Sequence, residues 1–228
     1  HEYTTLIKFA KRLPNAIFDK LMTAFSKFIK QPEKVAIDGT GISLDNASPH
    51  YCKRIGKKYH KRPFLKLSII IEIELYMILQ FKVRKRARHD LIDAYPLVKK
   101  LAKQYQPEVF YGDRGYDSEK LFKLVFEELG AYPLILQKRL DVPKHRRKGR
   151  YRKETVDVFD YGEYLQRNKV ETAFSILKRK FGFSIRSKDV KNQKVEAMTR
   201  IIAYNIDRLL ESGKQVILMV IRITRVSY

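Results

Sequence analysis

Cysteine and long apolar runs are scarce in this sequence, and each shortage disfavours a class of protein. Cys52 is the only cysteine among the 228 residues, so no disulfide can form within the chain and a zinc site of paired thiolates is disfavoured. The longest apolar run, residues 65–81, is interrupted by Lys66, Glu72 and Glu74, which excludes a membrane-spanning helix. No secretory signal is visible either, so we expect a reducing, cytoplasmic compartment.

Acidic residues are few relative to basic ones. Lysine and arginine number 48 against 25 aspartates and glutamates, which gives a formal net charge of +23. The positive charges of such an excess repel one another and destabilise a compact fold, unless an anionic partner binds to the surface. Nucleic acid is the first partner to expect, and an anionic membrane surface is the second. Because 44% of the residues are hydrophobic, the chain can bury the core of one large domain with short appendages.

The order of hydrophobic patterns predicts a mixed sheet flanked by helices. Residues 3–29 have helical spacing, broken at Pro14, and are interpreted as a helical lead-in. Further along, alternating or short apolar runs predict strands, and patterns of 3.6-residue period predict helices. The strands are expected at 34–37, 64–74, 76–83, 108–111 and 133–136, and the helices at 90–104, 118–130, 161–181 and 190–210. Three strands in succession, followed by alternating helices and strands, indicate the α/β class.

The second strand and two helix starts are predicted in more detail. Polar residues alternate with apolar ones in the second strand, which predicts a half-buried strand whose solvated face carries Lys66, Ser68, Glu72 and Glu74. Asp90 precedes a helical pattern and is interpreted as a helix cap, and Asp117 or Ser118 is expected to cap the next helix. Residues 138–153 hold nine lysines or arginines and are interpreted as a basic loop.

Two aspartates stand where apolar strands end. Asp38 follows the run 35–37 and precedes a glycine, and Asp113 follows the run 109–111 with a glycine before it. Glycine lets a backbone or a ligand approach closely, and ligand sites in open α/β sheets collect at strand ends. Asp-Gly is also a common turn pair, so an ordinary turn remains an alternative for both residues.

The predicted helix 161–181 carries polar side chains on one face. Tyr164, Arg167, Glu171 and Lys178 stand at offsets of 0, 3, 7 and 14 residues, which confines them to a stripe roughly 60° wide. A solvated face stabilised by pairing of Arg167 with Glu171 is the alternative. Two aspartates and one glutamate would be a sufficient ligand set for two Mg²⁺ ions about 3.5–4 Å apart, the arrangement that stabilises both the attacking and the leaving oxygen of a phosphodiester.

Three segments resemble the motifs of bacterial and archaeal insertion-sequence transposases of the DDE type. They are Ala36-Ile37-Asp38-Gly39-Thr40, then Gly112-Asp113-Arg114-Gly115-Tyr116-Asp117-Ser118, and finally Tyr164-x2-Arg167-x3-Glu171-x6-Lys178. A lone Asp-Gly is weak evidence, but the third segment has every spacing of the tyrosine–arginine–glutamate–lysine group of these enzymes. The resemblance extends from Val35 to Leu210, most of the chain.

The resemblance implies a fold and a division into domains. The implied catalytic domain spans residues 34–211 and has a ribonuclease-H-like core, a mixed five-stranded sheet flanked by helices. Residues 1–33 would be the helical remnant of an N-terminal DNA-binding region, and residues 212–228 a C-terminal tail of uncertain role. Because the chain begins at His1 rather than methionine, we expect further natural sequence before it.

The resemblance also implies an activity and the residues that perform it. The protein would be a DNA transposase that binds the ends of an insertion sequence and catalyses metal-dependent strand cleavage and strand transfer into target DNA. Asp38, Asp113 and Glu171 would be both the catalytic residues and the ligands of two Mg²⁺ or Mn²⁺ ions. DNA would be contacted by Tyr164, Arg167, Lys178, Arg114, Arg146, Arg147, Lys148 and Arg150. A homodimer on DNA is expected, because two transposon ends must be paired, and its place of action would be the prokaryotic nucleoid rather than a membrane.

Two other functions stay open on the sequence. A catalytically decayed or domesticated derivative would keep the fold and the charge but would not cut DNA, and the three intact motifs favour the active enzyme over it. A basic RNA-binding module would share the charge, but acidic residues at strand ends and the lack of an aromatic RNA-binding signature disfavour it. Nicking of labelled DNA tests the first alternative, and competition between RNA and DNA tests the second.

Overall fold

A computed structural model of the chain describes residues 3–29, 31–44, 49–54, 56, 64–86, 88–138, 142–146, 148–156, 159–182 and 184–213. Its strands are β1 (Lys34–Leu44), β2 (Phe64–Glu72), β3 (Ile78–Arg84), β4 (Val109–Gly112), β5 (Tyr132–Ile135) and β6 (Ser184–Ile185). Its α-helices are α1 (Tyr3–Arg12), α2 (Asn15–Ser26), α3 (Pro49–Arg54), α4 (Asp90–Ala102), α5 (Glu119–Leu124), α6 (Arg150–Glu154), α7 (Tyr161–Tyr164), α8 (Asn168–Phe181) and α9 (Val190–Glu211). Short 3₁₀ turns lie at Arg114–Tyr116, Lys144–Arg146 and Leu165–Arg167, and a π-helical turn, Val125–Leu129, continues α5.

The strands form one mixed sheet with the order β3-β2-β1-β4-β5. β2 runs antiparallel to both β1 and β3, whereas β1, β4 and β5 are parallel to one another. The predicted α/β class, a mixed sheet flanked by helices, is confirmed, and the five strands of this order are the five predicted from the sequence. The two-residue strand β6, which no sequence pattern predicts, pairs with the far end of β1 at Ser43 and Leu44.

The central strand β1 is longer than the predicted run 34–37. Its antiparallel pairing with β2 continues to Ser43, so the chain stays extended through Asp38 and Gly39 instead of turning there. The parallel pairing with β4 stops earlier, at Ala36. Asp38 therefore lies inside a strand, at the point where β1 loses its parallel neighbour.

The predicted half-buried state of β2 is wrong, because the strand is buried on both faces. Lys66, Ser68 and Glu72 are 7%, 1% and 5% exposed, since α4 and α8 pack against the strand. Glu72 folds back into the β2–β3 connection, where its carboxylate accepts the backbone N–H groups of Glu74 and Leu75. Of the four polar residues expected in solvent, Glu74 is the one that is exposed.

A cluster of four charges, two of them buried, joins α4 to β2 and β3. Asp93 is fully buried and accepts a hydrogen bond from Arg84 Nε. Its other oxygen accepts from Ser68 Oγ at 3.3 Å and lies 3.6 Å from Lys66 Nζ. Lys66 also forms a 2.7 Å ion pair with Asp90. Two cations and two anions therefore balance one another where α4 packs on β2 and β3.

The cap predicted at Asp90 is wrong, and of the two alternatives for the next helix, Asp117 and Ser118, the structure has Ser118. Asp90 is the first residue of α4, and the residue before it, His89, is the N-cap, because its Nδ1 accepts the N–H of Leu91. At α5 the N-cap position belongs to Ser118. Both aspartates instead use their carboxylates in ion pairs with cations distant in sequence.

The N-terminal helices pack onto the same core as the sheet. Phe18, Met22 and Phe25 of α2 are buried, and α2 contacts both α9 and β3. Asn205 of α9 accepts the N–H of Ile78 and donates to its carbonyl, which satisfies backbone groups at the start of β3. Across the described residues, no helix is long and apolar enough to cross a membrane. Most of the predicted tail, from residue 214 onwards, lies outside the described part of the chain.

Two predicted segments have different local structure. The helix expected at 161–181 is interrupted, because the 3₁₀ turn Leu165–Arg167 separates α7 from α8. The basic loop expected at 138–153 contains regular structure, namely the turn Lys144–Arg146 and α6. The single stripe predicted for Tyr164 to Lys178 is therefore divided between two helices.

Candidate active site

Asp38 and Asp113 occupy matching positions on neighbouring parallel chain segments. The β1–β4 register pairs Ala36 with Tyr111, and each aspartate follows two residues further along. Each carboxylate accepts a backbone N–H of a nearby glycine at 2.7 Å, which fixes its orientation. The two acidic residues that end separate apolar runs in the sequence are thus brought together by the sheet.

Arg167 connects the third acidic residue to this pair. Its Nη2 donates to Glu171 Oε1 at 2.8 Å, and its Nη1 lies 3.8 Å from Asp38 Oδ2. The helix α8 packs directly on β1, which holds the guanidinium over the strand. The pairing of Arg167 with Glu171 that the helical spacing predicts is present, but it faces Asp38 rather than open solvent.

Asp38 shares its electrostatic surroundings with both other carboxylates. Burial is the main reason that the pKa of Asp38 is raised from 3.8 to about 6. The charges of Asp113 and Glu171 raise this pKa further, whereas the N–H of Gly39 and the Arg167 guanidinium lower it. The three acidic residues are therefore close enough to repel one another, the situation that a bound cation relieves.

The three carboxylates offer only oxygen donors, which suit hard divalent cations such as Mg²⁺ and Mn²⁺. Within the described part of the chain, no group of three or more His, Cys, Asp or Glu side chains lies close enough together to hold one metal ion. Glu171 is bonded to Arg167, and its side chain is 58% exposed. Exposed side chains change rotamer within nanoseconds, so Glu171 can turn from Arg167, and a divalent cation would need that turn to gain all three donors.

Lys178 reaches from α8 to the same strand. Its Nζ donates to Thr40 Oγ1 at 2.6 Å, and partial burial lowers the pKa of this lysine. Thr40 follows Asp38 on β1, so the ammonium group lies beside the acidic site. Three of the four residues of the predicted stripe, Arg167, Glu171 and Lys178, therefore meet at β1.

Tyr164 and Arg114 are placed differently from these three. Tyr164 is 8% exposed, and its ring packs against Phe159 and Tyr161 with centroid distances of 5.4 and 5.9 Å. Arg114 is exposed and begins the 3₁₀ turn directly after Asp113. The tyrosine thus supports α7 from within, while the arginine borders the acidic site at the surface.

The basic segment predicted to contact DNA is divided among several settings. Arg146 and Lys148 line a cavity, whereas Arg150 forms a 3.1 Å ion pair with Glu154. Arg147 lies outside the described residues. These basic residues carry the same charge, but they therefore differ in how readily they can bind an anion.

Asp117 and Arg152 form a buried ion pair that no sequence pattern predicts. The Asp117 side chain is 1% exposed, and its Oδ2 accepts from Arg152 Nη2 at 2.8 Å and from the N–H of Lys138 at 2.9 Å. The one sequence signal for this ion pair is that Ser118 can cap the helix. The Asp117 carboxylate beside it is then not needed as a cap.

Removal of the Asp38 charge should stabilise the metal-free protein. The pKa of Asp38 is about 6 in the folded protein, against an ordinary value of 3.8, so the folded state loses stability as the pH rises through this window. Asp38→Asn should raise the free energy of unfolding by about 1–3 kcal/mol near pH 8 and by much less near pH 4. Urea unfolding of both proteins in EDTA measures this difference. An equal gain at both pH values would contradict the electrostatic account.

The family model described as "Transposase DDE domain" matches residues 29–206. The chain belongs to this family, whose members generally use divalent metal ions.

Comparison with individual proteins adds a distant structural neighbour. No curated protein sequence matches the chain. Among 21 matching chains of solved structures, one comes from the cryo-EM structure of a piggyBac transposase synaptic complex with hairpin DNA, with a TM-score of 0.49 and 11% sequence identity. The match covers 82% of this chain and 50% of that chain, so this chain spans half the length of that transposase.

Proposed function

We propose that the chain is the catalytic domain of an insertion-sequence transposase, which binds the ends of the element, cleaves DNA there and transfers the strands into target DNA. The observation that carries this proposal is the matching placement of Asp38 and Asp113, each two residues beyond the last β1–β4 pair, with Glu171 linked to Asp38 through Arg167. Cleavage and transfer both displace an oxygen at phosphorus, and both need charge stabilisation at that atom. The family assignment supports the same chemistry.

In this proposal Asp38, Asp113 and Glu171 hold two Mg²⁺ or Mn²⁺ ions. Bound ions of this kind supply an activated water or DNA 3′-hydroxyl and stabilise the leaving oxygen. Asp38 must be deprotonated to bind a cation, so its raised pKa limits metal binding below about pH 6. Glu171 completes the set by turning from Arg167.

Arg167 and Lys178 would bind phosphates next to the reacting one. The planar fork of Arg167, once released from Glu171, matches two phosphate oxygens. Lys178 donates to the neutral hydroxyl of Thr40, so its charge stays uncompensated and available to a phosphate. Tyr164 would offer DNA only its hydroxyl edge, since its ring is packed, and Arg114 would contact the backbone from the surface.

DNA affinity should fall steeply as salt is added. The net charge of +23 supplies many cations to phosphates, and each contact releases condensed counterions. With six or more phosphate contacts, the association constant should drop at least about a thousandfold between roughly 50 and 200 mM salt. Fluorescence anisotropy with a labelled duplex in EDTA measures this slope, and a flat dependence would argue against backbone binding.

Nicking by the unaltered protein tests the proposed reaction. Labelled duplexes from the DNA that borders the gene should be nicked in Mg²⁺ and left intact in EDTA. The separation of Glu171 from the two aspartates favours one second candidate, a decayed derivative that binds DNA without cutting it. Such a protein would show the same salt dependence and no nicking in either Mg²⁺ or Mn²⁺.

The proposal extends to the arrangement of the chain. Residues 1–33 would be the remnant of a DNA-binding region attached to a catalytic domain of residues 34–211, with residues 212–228 as a separate tail. Because α2 is buried against α9 and β3, the lead-in would orient DNA relative to the active site rather than swing freely. Two copies would pair the transposon ends on the DNA of a prokaryotic nucleoid.

A further inference from the structure

We propose that the cavity beside Asp117 is a second anion site, which binds a backbone phosphate of the DNA near the cleavage position. Four basic side chains line this phosphate cavity, together with the Asp117 carboxylate, and its volume is about 330 Å³. The basic residues are Lys138, Arg146, Lys148 and Arg152. The inference rests on the proposed DNA-binding function and assigns part of it to named residues.

Within the part of the chain that the structure describes, the charges around the phosphate cavity are not balanced. Asp117 compensates Arg152 through their 2.8 Å ion pair. The side chains of Lys138, Arg146 and Lys148 form no hydrogen bond or ion pair with any other described residue. Three cations that have no described partner around one cavity repel each other, and this cost falls when an anion enters.

The wall of the phosphate cavity is held in place from several directions. The Glu119 carboxylate accepts the backbone N–H groups of Tyr151 and Arg152 in the first turn of α6. The buried Gln137 side chain donates to the Arg152 carbonyl at 2.8 Å. Because the backbone and the guanidinium of Arg152 are both held in place, this residue loses little conformational freedom when a phosphate binds.

Gly149 allows this docking of α6. It is the N-cap of the helix with a φ of +98°, and a Cβ at this position would lie 2.0 Å from Glu119 Oε2. A residue with a side chain would therefore be strained and would displace the carboxylate that holds the first turn. The glycine at this position is thus consistent with a fixed cavity wall rather than with a loosely held basic loop.

The position of the phosphate cavity in the chain favours DNA as the source of the phosphate. Asp117 stands four residues after Asp113, so their Cα atoms are at most about 14 Å apart. A duplex strand advances about 3.4 Å per nucleotide along its axis. A phosphate in the cavity would therefore lie within about four nucleotides of the phosphate at the active site.

Neutral replacement of single phosphates identifies the contact. A duplex with one methylphosphonate linkage, moved stepwise across the four nucleotides on each side of the nick, should bind wild type about tenfold more weakly at one position. The double variant Arg146→Gln with Lys148→Gln should lose a similar factor on unmodified DNA and lose nothing more at that linkage. Its plot of log K against log salt should be shallower by about one contact.

Lys99→Gln with Lys123→Gln is the matched control, because it also removes two positive charges, at residues that are paired with Glu128 and Glu127 and lie outside the cavity lining. It should keep both the affinity and the sensitivity to the modified linkage. If the double variant of the cavity binds like wild type, the inference is overturned while DNA binding stands. Tight binding of inorganic phosphate that depends on Arg146 and Lys148 would overturn it in favour of a free-anion site. Absence of salt-dependent DNA binding by wild type would instead overturn the proposed function.

Discussion

Asp113→Asn should reduce Mg²⁺-dependent nicking by at least about a thousandfold without weakening DNA binding. Asparagine keeps the shape and the oxygen that accepts the Gly115 N–H, but it removes the charge that a cation needs. Loss of one charged ligand removes several kcal/mol of stabilisation at phosphorus, and each 1.36 kcal/mol changes the rate tenfold. Asp38→Asn and Glu171→Gln should have the same effect, since each removes one charge from the same group. Product formation on labelled duplexes measures the rate.

Asp189→Asn controls for the loss of a carboxylate as such. Asp189 is the N-cap of α9 and accepts the N–H groups of Lys191 and Asn192, and asparagine caps helices equally well. This variant should nick at the wild-type rate. Calorimetric titration with Mn²⁺ in the absence of DNA gives a second readout, in which the three active-site variants should bind weakly. A wild-type rate in any one of them would remove that residue from the ligand set.

The neighbourhood of Asp38 and Asp113 is the part of the site that the sequence predicts best. Both residues follow short apolar runs, and the carboxyl ends of parallel strands meet at one edge of a sheet. The spacing of Arg167 and Glu171 likewise predicts their ion pair, because residues four apart on a helix face each other. These predictions depend on local periodicity, and the structure agrees with them even though the 3₁₀ turn Leu165–Arg167 divides the helix.

The sequence could not predict which faces of the strands are covered by helices. The alternation of polar and apolar residues in β2 shows that its two faces differ. It does not show whether the polar face is exposed to solvent or covered by a helix that carries charges of its own. Lys66 and Ser68 are buried because Asp93 of α4 lies against them. The sequence also could not predict the ion pair of Asp117, because its partner Arg152 is distant in the chain and no sequence pattern relates the two residues.

Asp93→Asn should lower the free energy of unfolding by about 3–5 kcal/mol, the largest effect on stability that we expect. Lys66 and Arg84 lie directly opposite each other in the β2–β3 pair, and the fully buried Asp93 is the anion between them. For a chain of this size the melting temperature should fall by about 10 °C. Asp90→Asn is the matched control, because its carboxylate is 43% exposed and should contribute about 1 kcal/mol or less.

A second substitution separates lost charge balance from lost packing around Asp93. If uncompensated cations cause the instability, Arg84→Gln should restore part of the stability of Asp93→Asn, because Lys66 keeps Asp90 as its partner. Additive losses in the double variant would show that packing dominates. The charge cluster also reaches β1, since a Cβ at Gly39 would lie 3.1 Å from Asp90 Oδ1. Asp93→Asn should therefore slow nicking below the melting transition, while the salt slope of DNA binding, which depends on surface cations, stays unchanged.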